Sequence, residues 1–294
     1  GSTMKSYNHM TVKPITGAMG AEVFGIDLSQ PLSAAAVAEV KSAWSEYLVL
    51  IFRDQNLTDQ QQYDFSAQFG PIIPHPYVKG LPEIPEIFQI IREPGENFSW
   101  DGYYHSDLMF LEKPPKGATL YAKECPPFGA DTAFCNLYLA YETLSDGLRD
   151  MLEGLEAVND SGNPQKYSSK YQSMEELAKN DAMAATHPVV RYNPDTGRKA
   201  LFVSLAFTKR FKGWTEEESL PLLTYLYEHS IQAHLGCRLA WQPKSLAMWD
   251  NRVCLHHAVA DYFGEVSKHR RVMQRATIEG EVPIAARSVA QKAA

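Results

Sequence analysis

The chain has 294 residues, 45% of them hydrophobic and 21% charged, an ordinary globular composition that excludes disorder, collagen and coiled coil as descriptions of the whole. Twenty-eight basic against 35 acidic residues leave a net charge of −7, so the global positive field that non-specific nucleic-acid binding needs is missing. No apolar run approaches the roughly 20 residues that span a bilayer, no signal peptide is visible, and four scattered cysteines (Cys125, Cys135, Cys237, Cys254) without a CxxC pair point to a reducing cytoplasm.

Gly1-Ser2-Thr3 reads as an expression scar before Met4, so a single domain over 4–294 is expected. The segment Gly20–Leu28 alternates and predicts a strand. Ser33 can cap a helix through Glu46, because Val37, Val40, Trp44 and Tyr47 recur at helical spacing. Leu48–Phe52 is a short apolar run, a buried strand. Thr58 with Gln61 fits a capping box, and that helix should stop at Gly70-Pro71. Strands are predicted at Ile87–Ile91, Tyr103–Phe110, Thr119–Glu124 and Thr132–Asn136, followed by a helical stretch from Leu137 to Leu155. Residues 159–186 are polar and poor in large aliphatics, a long loop with some helix and a candidate active-site lid.

Asn193-Pro-Asp-Thr-Gly197 is a turn between Val189–Tyr192 and Ala200–Ser204, hence a hairpin. Thr215 with Glu218 opens a helix to Leu235, kinked at Pro221 or starting nearer Ser219. The chain then returns to strands at Arg238–Gln242, Ser245–Asp250, Val253–His256 and Arg271–Ile278. Many strands with inserted helices predict an α+β architecture around a β core.

His105 and Asp107 lie two apart on a predicted strand, so both should face one side. An imidazole nitrogen and a carboxylate oxygen on one face can take adjacent positions around a divalent ion. A second imidazole would complete a two-histidine, one-carboxylate triad, which leaves positions open on a non-haem iron. His256 and His257 are both candidates; on a strand they face opposite ways, so one alone should serve. Arg271 and Arg275 interrupt a strand-like run on one face, and two guanidiniums aimed the same way each need an anion. Their planar forks suit carboxylates or sulfonates. Cys254 shares the face of His256 and reads as a small core residue.

Several motifs occur in a fixed order: Gly-Ala-Glu-Val-Phe-Gly-Ile-Asp-Leu ending at Leu28, Phe69-Gly-Pro71, His105-x-Asp107, Gly129-Ala-Asp-Thr132, His187-Pro-Val-Val190, Trp249-Asp-Asn-Arg252, His256-x-Ala258, Asp261-Tyr262 and Arg271-x-x-x-Arg275. Through them the chain, from Thr11 to Val282, resembles the taurine dioxygenase family of Fe(II)/2-oxoglutarate-dependent dioxygenases. The resemblance implies a double-stranded β-helix (jelly roll) core with inserted and flanking helices. It implies Fe(II) with 2-oxoglutarate and O2 as co-substrates, and His105, Asp107 and His256 as catalytic metal ligands. Arg271 matches the clamp for the far carboxylate of 2-oxoglutarate, with Thr132 assisting.

Arg275 matches the arginine that receives the substrate's sulfonate, with His75 beside it, and Phe207 matches an aromatic lining the substrate pocket. Tyr77 and Asp101 stand near the positions that hold the amine of taurine. Tyr77 is one residue off the usual offset, and Asp101 replaces an asparagine. The implied activity is hydroxylation of a small organic anion. The expected substrate is a taurine-like sulfonate releasing sulfite; the alternatives are a carboxylate, such as an aryloxyalkanoate or a biosynthetic intermediate, an alkyl sulfate ester, or a non-catalytic metal-binding or sensing protein on the same fold. A small anionic substrate, no nucleic acid, no membrane and a homo-oligomer, dimer or tetramer, are the expected partners.

Overall fold

The computed structural model of the protein describes residues 4–96, 102–162 and 182–293. In chain order the strands are β1 (Thr11–Pro14), β2 (Ala21–Phe24), β3 (Val49–Phe52), β4 (Ile72–Ile73), β5 (Ile87–Arg92), β6 (Gly117–Glu124), β7 (Thr132–Asn136), β8 (Glu156–Asp160), β9 (Ala184–Pro188), β10 (Val190–Asn193), β11 (Arg198–Leu201), β12 (Thr208–Phe211), β13 (Gly236–Leu239), β14 (Leu246–Asp250), β15 (Cys254–Ala258), β16 (Arg271–Ile278) and β17 (Ile284–Ala285).

A large sheet runs β1-β2-β3-β14-β6-β16-β4, with β5 also paired to β16, and a small one runs β13-β7-β15. All these pairings are antiparallel except β2 with β3. Both faces of the large sheet are covered, which is why β3 and β14 are apolar almost without interruption. The period of two still sorts their side chains. Leu50, Phe52, Leu246 and Met248 pack with Trp44 and Phe65 of the flanking helices. Val49, Ile51, Ala247 and Trp249 pack the other way, with Phe134 and Leu255 of the small sheet. The two sheets therefore face each other across one core, the α+β, double-stranded β-helix arrangement expected from the resemblance.

The helices flanking the large sheet begin where the sequence says. Ser33 Oγ accepts from Ala36 N ahead of Ala34–Tyr47, and Thr58 and Gln61 form both halves of a capping box ahead of Asp59–Ala67. The second helix ends three residues before the expected Gly70-Pro71. The stretch 137–155 is two helices, Leu137–Glu142 and Asp146–Leu152, because Asn136 and Ser145 each cap a new start. Thr215 and Glu218 close the capping box of Glu216–Ser230, so this helix starts at Glu216 and carries Pro221 inside. It ends five residues before the expected Leu235.

The loop expected over 159–186 is strand at both ends, since β8 pairs β9 in register from Glu156↔Pro188 to Asp160↔Ala184. The rest of that lid candidate, 163–181, lies outside the described residues. The hairpin of β10 and β11 forms about the predicted turn and pairs Val190 with Leu201 through Asn193 with Arg198, its second strand ending three residues before the expected Ser204. No described helix is long and apolar enough to cross a membrane.

Candidate metal centre and active site

The expected strand over Tyr103–Phe110 is absent. The backbone makes a single bridge at His105 and then turns at Asp107, with Leu108 in the left-handed region at φ 51°. A shared strand face is thus not what brings the two side chains together. His105 N donates to His256 O at 3.0 Å and His256 N donates to His105 O at 2.8 Å, so the loop is stitched to β15 at the second histidine itself. Asn251, fully buried, then clasps the turn. Its Oδ1 accepts from Asp107 N at 2.7 Å, and its Nδ2 donates to Asp107 O at 3.0 Å and Pro115 O at 3.2 Å.

The result is one cluster. A ligand atom from each of His105, Asp107 and His256 lies within 4.8 Å of the others. His105 Nε2 is 3.5 Å and His256 Nε2 3.3 Å from Asp107 Oδ1. His105 Nδ1 lies 3.1 Å from Tyr103 O, a contact that calls for a proton on Nδ1 and turns Nε2 towards the cluster. Burial lowers the pKa of His256, against the pull of Asp107, and so keeps it a neutral donor. Burial opposes ionisation of Asp107, but Arg275, His256 and His105 outweigh it and hold the carboxyl well below the usual range. Asp107 Oδ2 is buried without a hydrogen-bond partner among the described residues. Two imidazoles, that of His256 kept neutral by burial, and an ionised carboxylate with spare acceptor capacity suit a divalent iron.

These residues sit at one side of a cavity of about 290 Å³ between the two sheets. β6 and β14 supply Leu120 and Trp249, β16 supplies Arg271, Arg275 and Thr277, β7 supplies Thr132, and β15 supplies His256 and Ala258. Arg271 and Arg275 thus face the same space, as their spacing of four on a strand predicts. Arg275 Nη1 donates to Asp107 Oδ1 at 2.9 Å, and its guanidinium stands over Trp249 at 5.2 Å. His75 lines the cavity, and its Nδ1 accepts from Tyr77 N at 3.0 Å, leaving Nε2–H as a neutral donor. Phe207 also lines the cavity, edge-on to His105 at 5.7 Å.

Other expectations fare differently. Tyr77 is fully buried and does not line the cavity; its hydroxyl points to Ser161 at 3.4 Å, because the residue packs beside Phe110. Asp101 lies outside the described residues. His257 turns away from the cluster and stacks on Tyr104 at 5.0 Å. Cys254 is a fully buried core residue.

Four contributors are not assigned from the sequence. Asn251 and Arg252 stand in the quoted Trp249-Asp-Asn-Arg252 motif. Arg252 is held in a two-pronged pair with Asp250, at 3.0 and 2.8 Å, which frees Asn251 for the clasp. Arg92 lies directly across from Arg271 on β5 and lines the cavity under Tyr262, whose ring is 3.7 Å away. Trp241 donates to Thr132 Oγ1 at 2.9 Å. Only the Asn251 motif carried any signal in the text.

A family model for "Taurine catabolism dioxygenase TauD, TfdA family" matches residues 11–277. An alpha-ketoglutarate-dependent sulfate ester dioxygenase of Pseudomonas putida is 32% identical over 285 residues, 94% of this chain and 91% of that one. An alkylsulfatase of Acinetobacter baylyi is 33% identical over 292 residues, covering 96% and 89%. The crystal structure of a taurine dioxygenase from Burkholderia xenovorans superposes with a TM-score of 0.82 at 34% identity, covering 95% of this chain and 92% of that one.

Proposed function

Because the chain belongs to the TauD/TfdA dioxygenase family, an Fe(II)- and 2-oxoglutarate-dependent class, we propose that it oxidises a small organic sulfo anion carried on an apolar chain, an alkyl sulfate ester or an alkanesulfonate. The carrying observation is one cavity that holds the His105–Asp107–His256 cluster together with Arg271 and Arg275. In this reading the three ligands hold iron, and Arg271 and Thr132 hold the far carboxylate of 2-oxoglutarate. Arg275 and the Nε2–H of His75 take the anionic head of the substrate.

Iron, O2 and 2-oxoglutarate supply the oxidising power that puts a hydroxyl on a substrate carbon, with succinate and CO2 as by-products. The protein's part is to bind, orient and exclude water. Phe88, Ile90, Leu108, Ala206 and Phe207 give the tail an apolar wall. Asp107 is the one acidic side chain among the described cavity-lining residues, and Tyr77 is turned away, so the described wall offers an ammonium no carboxylate besides the proposed metal ligand. That favours an uncharged tail over the zwitterion taurine. Hydroxylation at a carbon bearing a sulfate ester oxygen gives an adduct that splits to an aldehyde and sulfate. At a carbon bearing a sulfonate it gives an aldehyde and sulfite.

The test begins with anaerobic addition of Fe(II) and 2-oxoglutarate, where a weak visible charge-transfer band is expected. A panel of alkyl sulfates, alkanesulfonates, taurine and aryloxyalkanoates then follows succinate, with sulfate and sulfite as reporters. Turnover of aryloxyalkanoates alone would overturn the substrate assignment, and absence of the band would overturn the co-substrate assignment.

A further inference from the structure

We propose that Trp241 is a positioning residue for the co-substrate, acting through the hydroxyl of Thr132; this rests on the co-substrate reading above. The indole N–H of Trp241 donates to Thr132 Oγ1 at 2.9 Å. Trp241 is 3% and Thr132 4% exposed, so water does not compete for this bond. An indole nitrogen can donate and never accept, whereas a hydroxyl can do both. A lone pair of Oγ1 is therefore committed to Trp241, and the hydroxyl hydrogen is left to point elsewhere. No acceptor takes it among the described residues, and Thr132 lines the cavity that Arg271 also lines.

The arrangement converts an ambivalent hydroxyl into a dedicated donor. Thr132 opens β7 and is fixed on both sides, opposite Leu239 of β13 and Ala258 of β15, so its backbone cannot drift. Trp241 lies two residues beyond β13, the strand paired to Thr132's own, and so reaches the hydroxyl from behind. A carboxylate is acceptor-only when ionised, so a pre-aimed donor beside a guanidinium recognises it without having to reorient on binding. Trp241 does not touch the cavity itself and is absent from its wall. Its influence must pass through Thr132, and it should be felt at the far carboxylate and not at the keto-acid end.

That distinction gives the test. Equilibrium titration of the anaerobic Fe(II) enzyme is followed by the visible band, with 2-oxoglutarate and with 2-oxobutyrate, which keeps the keto-acid end but lacks the far carboxylate. Trp241→Phe should raise the dissociation constant for 2-oxoglutarate about five-fold, the equivalent of about one hydrogen bond, and leave that for 2-oxobutyrate unchanged. In a Thr132→Val background Trp241→Phe should add nothing further. Trp241→His, which keeps a ring N–H donor, should recover part of the loss and serves if the phenylalanine variant fails to fold. Equal weakening of both keto acids, an effect that persists without the threonine hydroxyl, or unchanged 2-oxoglutarate binding would each overturn the proposal. A wild-type enzyme that binds no 2-oxoglutarate at all would instead overturn the reading on which it rests.

Discussion

Replacing Asn251 should uncouple Asp107, the proposed iron ligand, from the sheet that carries it. Asn251→Ala removes three hydrogen bonds, to Asp107 N, Asp107 O and Pro115 O, all made by a side chain with no solvent exposure. At about 1 kcal/mol net each, with a further cost for backbone groups left buried and unpaired, the loss is about 3–5 kcal/mol. That is a large share of a total stability of about 5–15 kcal/mol, and it corresponds to a fall in Tm of roughly 5–8 °C for a chain of this size. The turn it releases is already strained at Leu108, so Asp107 should wander and Fe(II) affinity should fall about 10- to 100-fold.

Asn251→Asp refines the point. It keeps an acceptor for Asp107 N–H but turns a carboxylate oxygen towards two carbonyls. Metal affinity is read by anaerobic competition against a chelating dye, and stability by thermal unfolding with and without Fe(II). Wild-type affinity and Tm in Asn251→Ala would refute the clasp.

Four further outcomes follow from the geometry. Burial, then Arg275, push the pKa of His75 down to about 3, with Asp107 opposing. In the unfolded chain it titrates near 6.5, so the unfolded state takes up the extra proton between those values. Stability should fall as pH drops through about 6.5 towards 3, by up to about 1.4 kcal/mol per unit. His75→Gln should flatten that slope by one proton in urea melts at pH 4–6, and an unchanged slope would count against the buried neutral ring. Arg271→Ala should raise the 2-oxoglutarate requirement at least ten-fold with little change in Fe(II) binding, read by titration of each ligand. Arg275→Ala should keep succinate formation in the absence of substrate and lose its stimulation by substrate; equal loss of both would contradict a substrate role. Gly236→Ala should destabilise by about 1–3 kcal/mol or more, measured by denaturant melts, because the new Cβ would sit 2.0 Å from Phe134 O in the neighbouring strand.

How far the sequence reveals this protein depends on the range of the interaction. Signals written in adjacent residues survive into the structure: the Ser33 cap, the Thr58 and Thr215 capping boxes, the turn between β10 and β11, and the period of two that turns Arg271 and Arg275 into one cavity. The strand expected at Tyr103–Phe110 is the instructive failure. Its apolar and aromatic content imitates a strand because Leu108, Met109 and Phe110 are buried, yet they pack as a turn into a separate cluster with Tyr77 and Phe202. Burial alone does not specify a ladder. The expected outcome, a histidine and a carboxylate beside one another, was right for a reason the local pattern did not contain.

That reason is long-range pairing. His105 meets His256 across 151 positions of chain, Asn251 reaches back 144 to Asp107, and Trp241 reaches back 109 to Thr132. None of these leaves a period, a cap or a spacing in the neighbouring text. Each is made possible by the order of the sheets, in which β7 lies between β13 and β15 and β14 pairs with β6, so that the ends of these strands gather at one mouth. Residue types narrow the ligands to His105, Asp107 and one of His256 and His257, and the resemblance selects His256. The residues that aim them are an asparagine and a tryptophan, types used everywhere for packing and hydrogen bonding, and only their placement makes them specific. The substrate wall is harder still to read. Phe88 and Leu108 are ordinary core residues in the text, Phe207 is marked only by the resemblance, and the fold decides that all three face a cavity.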